Sequence, residues 1–135
     1  DGIFLSNGPG DPAATGKYSI EIIDDLLKES SRRLKKLGYD NITLQSGDGY
    51  KGIEQEAPFD RIIITAAPEE VPDTLLAQLN VGGIMVVPIG KQCEIQHLWV
   101  IKKDSDGSLI KEKVLPVGFV PMIKKINCTL IKIIT

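Results

Sequence analysis

Apolar residues recur along this chain with two different periods, and the changes between them mark the elements. Gly2–Ser6 (GIFLS) is almost wholly apolar, as a short strand buried on both faces would be. Ile23, Leu26, Leu27, Leu34 and Leu37 then fall at helical spacing. Lys28, Arg32, Arg33, Lys35 and Lys36 occupy the other positions, and Gly38 stops the helix. Ile42–Ser46 and Arg61–Thr65 read as strands, the second within DRIIIT, the most hydrophobic run and therefore central. Ile53–Phe59 between them reads as short and irregular. Pro68 and Pro72 bracket an acidic pair ahead of a short helix over Asp73–Leu79. Asn80–Gly83 is expected to turn into a buried strand, Ile84–Ile89. Glu94–Lys102 and Leu109–Val117 alternate around Asp104–Gly107, which predicts an antiparallel hairpin. The tail Ile123–Thr135 is apolar with scattered lysines and reads as an extra strand or a loosely ordered end.

Strand, helix, strand, strand, helix, strand and hairpin is the order of an α/β sheet with an antiparallel end. Two readings of the first helix stay open. Lys17–Glu21 can form a separate strand ending in an acid, although only about ten residues then separate it from the first strand, and parallel neighbours need a crossover of a dozen or more. Alternatively one long helix runs from Pro12 to Leu37, started by the Asp11-Pro12 cap and tolerating Gly16 at roughly 1 kcal/mol. The loop Asn7-Gly8-Pro9-Gly10 joins a strand to a helix start, an arrangement that can bind anions. It lacks both the dinucleotide fingerprint and the P-loop lysine, and reads as a plain turn.

Composition narrows the function. At 135 residues the chain is one domain's worth, 42% hydrophobic and 25% charged, as soluble globular proteins are. A net charge of −2 argues against a dominant grip on nucleic acid, and the basic residues late in the first long helix suit its macrodipole. No apolar run approaches the ~20 residues of a membrane span, and no signal peptide opens the sequence. Cys93 and Cys128 have no metal-like spacing, so reduced thiols in a cytoplasm are expected. The single histidine, His97, excludes a multi-histidine metal site and reads as an ordinary strand residue.

The candidate chemistry sits at two strand exits. One strand runs into Gly47-Asp48-Gly49 and the other into Thr65-Ala66-Ala67. Ligands of open α/β sheets lie outside the carboxyl ends of the strands, so a carboxylate on one exit and small side chains on the other would wall a nucleoside pocket. Read alone, Asp48 is also an ordinary turn aspartate.

Gly38–Pro68, with GDGYKG and APFDRIIITAAP, together with LLAQLNVGGIMVVPIG (75–90) and VLPVGFVPM (114–122), resembles the C-terminal part of protein-L-isoaspartate O-methyltransferases over about residues 16–122. The resemblance implies a Rossmann-like fold, here a truncated, mostly parallel sheet with an antiparallel C-terminal hairpin. It implies methyl transfer from S-adenosylmethionine to L-isoaspartyl carboxylates of damaged proteins, with isoaspartyl peptides as partners. Carried over by motif, Asp48 faces the adenine with Gly47 and Gly49 beside it, and Glu21 is the ribose-binding acid. Thr65 and Ala66 line the pocket near the methyl group, and Ala67, Phe119 and Val120 flank the substrate. No general base is implied, because a carboxylate is already nucleophilic towards a sulfonium methyl group.

The sequence also departs from that family. Its glycine-rich first motif and N-terminal region should precede Gly16 and are not found there. In their place Asp1–Ala13 resembles the glutamine amidotransferase domain of the carbamoyl-phosphate synthase small chain, without that family's cysteine nucleophile or histidine partner. The whole chain, 1–135, thus reads as one truncated or chimeric domain with a foreign strand and loop (1–13) and an apolar tail (123–135). Two functions follow: an impaired isoaspartyl methyltransferase, or a catalytically silent α/β domain. The shortened front end is expected to expose a sheet edge or apolar face, which the tail would cover or through which two copies would pair.

Overall fold

The computed structural model describes residues 2–6, 16–91, 93–122 and 127–133. The chain runs β1 (Gly2–Ser6), α1 (Gly16–Lys36), β2 (Ile42–Asp48), a 3-10 turn (Glu54–Glu56) and β3 (Phe59–Ile64). It continues through α2 (Asp73–Ala77), β4 (Leu79–Ile89), β5 (Gln96–Lys103), β6 (Leu109–Val117) and β7 (Asn127–Ile133). All strands belong to one sheet in the order β2-β7-β1-β3-β4-β5-β6. β1 pairs in parallel with β3, and β3 with β4; β5 and β6 follow antiparallel as the expected hairpin. β7 pairs antiparallel with both β1 and β2, so β1, β2, β3, β4 and β6 point one way and β5 and β7 the other.

Register separates the two faces. Ile3, Ile62, Met85 and Ile101 lie side by side across four strands, and all are buried. With Leu5, Ile64 and Val87 they form the core, closed from above by Leu75 of α2, Ile53 and Met122. The opposite face carries α1, which packs on β2. Opposite helices for successive crossovers are what a doubly wound sheet requires. Between α1 and the hairpin, however, Ile63 is 44% exposed although its strand has parallel neighbours on both sides.

α1 settles the first open reading. Residues 17–21 are helical, so no separate strand forms there, and Glu21 lies within α1 rather than at a strand exit. The short link to β1 is the physical reason, because it leaves no room for a parallel crossover. Gly38 ends the helix as expected. Its φ is +87°, its amide donates to the Lys35 carbonyl at 3.0 Å, and the Tyr39 amide donates to that of Leu34 at 3.0 Å. The Asn7–Pro12 loop and its Asp11 cap lie outside the described residues.

One further expectation changes, and another is placed. Asn80–Gly83 is part of β4 rather than a turn; the register with β3 shifts between Phe59 and Arg61, and Gly82 takes φ +76°. The irregularity is held by Asn80, whose amide donates to Asp60 Oδ1 at 2.9 Å and whose Oδ1 accepts from the Val81 amide at 2.9 Å. The tail, for its part, forms the extra strand expected of it, but inside the sheet, where it covers the facing edges of both β1 and β2. Residues 127–133 are an interior strand filling the slot between β1 and β2. That partner extends β2 by two residues beyond Ser46, through Gly47↔Cys128 and Asp48↔Asn127.

Candidate functional site

The exits of β1, β2 and β3 lie along one edge of the sheet, and β7 begins at the same edge beside Asp48. Asp48 is the last residue of β2 and half-buried. Its Oδ1 accepts the Tyr50 amide at 3.0 Å, a local turn that fixes the loop behind it, and Gly49 is buried inside that turn. The rest of the loop is fastened by side chains that sequence reasoning passed over. The buried Gln78 accepts the Ile53 amide at 3.0 Å and donates to the Lys51 carbonyl at 2.7 Å. Thr74 Oγ1 donates to the Tyr50 carbonyl. Gly52, at φ +63°, sits so close to α2 that an added Cβ would stand 2.8 Å from Leu75 Cδ2. The signal for Gln78 was present: it directly follows α2, three residues after Leu75 and next to Leu79, among apolar positions where a polar side chain needs partners.

The second exit is built differently. The Thr65 amide and hydroxyl both donate to the Leu5 carbonyl, at 2.9 and 3.1 Å, which ties the end of β3 to β1. Ala66 and Ala67 are buried. The Ala67 amide donates to the Val120 carbonyl at 2.8 Å, and its carbonyl accepts the Met122 amide at 2.7 Å. Phe119 is held by the buried Gln96, which accepts its amide at 2.6 Å and donates to its carbonyl at 3.0 Å. Val120, by contrast, is 58% exposed at the rim.

One contact joins the two halves. The Tyr50 hydroxyl donates to the Met122 carbonyl at 3.0 Å. GDGY, TAAP and FVPM, far apart in sequence, therefore meet: Tyr50 touches 122, and Ala67 touches 120 and 122. Gly47, Asp48 and Gly49 stand on one side of this junction, and Thr65, Ala66, Ala67, Phe119 and Val120 on the other. β7 and β1 lie between β2 and β3, so about three strand spacings, or ~14 Å, separate the two exits. Glu21 is not brought to this edge by any strand. A groove of about 580 Å³ between α1 and β2, lined by Lys28, Arg32, Lys35, Leu44 and Ser46 among others, includes none of the junction residues. His97 is a half-buried β5 residue opposite Pro116. Among the described residues no group of three or more His, Cys, Asp or Glu could hold a metal ion, and no helix is long and apolar enough to cross a membrane.

Comparison with known proteins gives the same assignment for most of the chain. A sequence profile of the protein-L-isoaspartate(D-aspartate) O-methyltransferase family matches residues 14–127. The chain is 45% identical over 109 residues to protein-L-isoaspartate O-methyltransferase 2 of Polaromonas, covering 81% of this chain and 52% of that one. It is 50% identical over 108 residues to the Ignicoccus hospitalis enzyme of that name, covering 80% and 51%. It therefore spans about half the length of the curated relatives it matches. Among solved structures, a Plasmodium falciparum chain assigned to the same methyltransferase and bound to S-adenosyl-L-homocysteine superposes with a TM-score of 0.60. That pair is 28% identical, over 75% of this chain and 49% of the other. A second protein-L-isoaspartate O-methyltransferase structure gives 0.65 at 30% identity, over 76% and 32%. The profile leaves residues 1–13 outside its match and takes in every motif of the junction, so this chain belongs to the protein-L-isoaspartate(D-aspartate) O-methyltransferase family.

Proposed function

We propose that this chain carries part of the binding site of an S-adenosylmethionine-dependent O-methyltransferase that acts on L-isoaspartyl carboxylates of damaged proteins. The observation that carries the reading is the junction of GDGY, TAAP and FVPM through Tyr50, Ala67 and Met122. Asp48, held by its turn at the exit of β2, offers a carboxylate oxygen beyond its bond to Tyr50 as an acceptor for the adenine amine. Gly47 allows close approach of the purine, and Gly49 is buried in the turn behind it. The ~14 Å between the two exits suits an extended nucleoside joined to an amino acid, with Thr65 and Ala66 near its reactive end. Val120, exposed at the rim, and Phe119 then offer an apolar edge to a peptide, with Ala67 buried behind them. When bound, the cofactor supplies a methyl group on a sulfonium, and the substrate carboxylate needs no base to attack it. The chain's own contribution is placement and exclusion of water. Glu21 has lost the strand-exit position on which its ribose role rested, and nothing in this proposal depends on it.

A second reading has its own support. The family match begins at residue 14, and β7 lies in the slot between β1 and β2, so part of the edge comes from outside the matched sequence. On that reading the chain is a recombined, catalytically silent α/β domain. Losing several cofactor contacts worth about 1 kcal/mol each would move a micromolar site towards millimolar. Calorimetric titration with S-adenosyl-L-homocysteine separates the two. Saturable heat that Asp48→Ala abolishes supports the methyltransferase site; no heat at millimolar ligand leaves the silent domain.

A further inference from the structure

The segment that carries Phe119 and Val120 leaves the hairpin just beyond its last backbone pair. Gln96 opens β5 opposite Val117, the final residue of β6, and the chain then turns so that Pro121 forms a parallel bridge with Ala67. On that side the bonds are backbone to backbone: the Val120 carbonyl accepts from Ala67, and the Met122 amide donates to it. Phe119 is held by a side chain instead. Its amide donates to Gln96 Oε1 at 2.6 Å, and its carbonyl accepts from Gln96 Nε2 at 3.0 Å. One primary amide thus makes both bonds that a paired strand residue would exchange with Phe119. Its orientation is fixed by chemistry, since only the oxygen can accept an N–H and only the nitrogen can donate to a carbonyl.

Gln96 is itself built in. It is 6% exposed, and Gly90 passes so close that an added Cβ would stand 2.9 Å from Gln96 Cα. The Gly90 amide in turn donates to the Pro68 carbonyl at 3.2 Å. The proline of TAAP, the start of β5 and the FVPM segment are therefore fastened together through Gly90 and Gln96. The Asp48 side is fastened separately, by its own turn onto Tyr50 and by Gln78 and Thr74.

We propose that Gln96 is a positioning residue for the peptide side of the site, holding Phe119 so that the Phe119–Val120 edge is preset for an isoaspartyl peptide. The proposal rests on the methyltransferase reading and divides its site: Gln78 supports the cofactor end and Gln96 the peptide end. An edge already ordered binds a peptide without the cost of ordering it first. The probe is a short fluorescent peptide with a central L-isoaspartyl residue, titrated by anisotropy into the full chain saturated with S-adenosyl-L-homocysteine. Cofactor affinity is measured separately by calorimetry. Gln96→Met keeps the volume and deletes both hydrogen bonds; peptide affinity should fall about tenfold while S-adenosyl-L-homocysteine affinity stays within about twofold. Gln96→Glu keeps an acceptor for the Phe119 amide but sets a carboxylate against its carbonyl, and should show the same one-sided loss. Unchanged peptide affinity in both variants, or no saturable peptide binding by the unsubstituted chain, with cofactor heat intact, overturns this inference alone. Parallel loss of both ligands in both variants also overturns it, because Gln96 then serves only folding. No cofactor heat from the unsubstituted chain removes the methyltransferase reading, and this proposal with it.

Discussion

Replacing Gln78 with methionine tests whether one buried amide holds the loop that carries Asp48. The change keeps length and volume and removes both hydrogen bonds. The Ile53 amide then loses its acceptor, and Ile53 itself is only 7% exposed, so water cannot readily substitute. A buried amide left unsatisfied costs about 1–3 kcal/mol. The Lys51 carbonyl belongs to an exposed residue and rehydrates, so that loss is the ordinary net value of about 0.5–1.5 kcal/mol. Together they predict destabilisation of about 1.5–4.5 kcal/mol, read as a lower urea midpoint at unchanged slope. Hydrogen exchange at the Ile53 amide should accelerate by more than about tenfold, since each ~1.4 kcal/mol is a factor of ten. Gln55→Met, on the exposed 3-10 turn, is the control and should stay within about 0.5 kcal/mol. A Gln78→Met loss no larger than that control, with Ile53 exchange unchanged, would refute the clamp.

Tyr50→Phe removes the hydroxyl bond to Met122 and should cost about 0.5–1.5 kcal/mol; coupling measured against Ala67 changes should be non-zero if the motifs meet as described, and additivity would count against it. Ending the chain at Met122 removes β7 and leaves β1 and β2 without partners on facing edges. Its melting temperature should fall and its aggregation rise, whereas a monomer with unaltered unfolding would show that the interior strand is dispensable. Glu29 titrates below its usual 4.5, held there first by its hydrogen bond from Arg32 and then by that from Arg33. A depressed folded value means the contribution is present above the unfolded value and lost as pH falls through the folded one. Glu29→Gln should therefore flatten the acid limb of α1 helicity below about pH 4.5, and salt should shrink the effect, these side chains being exposed; circular dichroism curves that superpose across that range would contradict it.

Local patterning along the chain was enough to place most elements. DRIIIT is a central strand because a run without polar interruption tolerates burial on both faces. The Asp104–Gly107 turn makes a hairpin from chemistry contained within those residues, and Gly38 ends α1 because only a left-handed residue closes its last turn. GDGY and TAAP were legible as polar or small-residue exits of strands, whereas FVPM entered as a candidate only through the family resemblance. Their meeting was not legible, because it depends on contacts between residues far apart in sequence: Tyr50 with Met122, Ala67 with Val120, Gln96 with Phe119. The tail shows the limit most clearly. Its apolar residues announced a need for burial but not an address, and the vacant slot between β1 and β2 exists only once α1 has carried the chain across the sheet. Glu21 shows the converse: an acid after an apolar stretch looks alike in strand or helix, and the length of the link to β1 decided which.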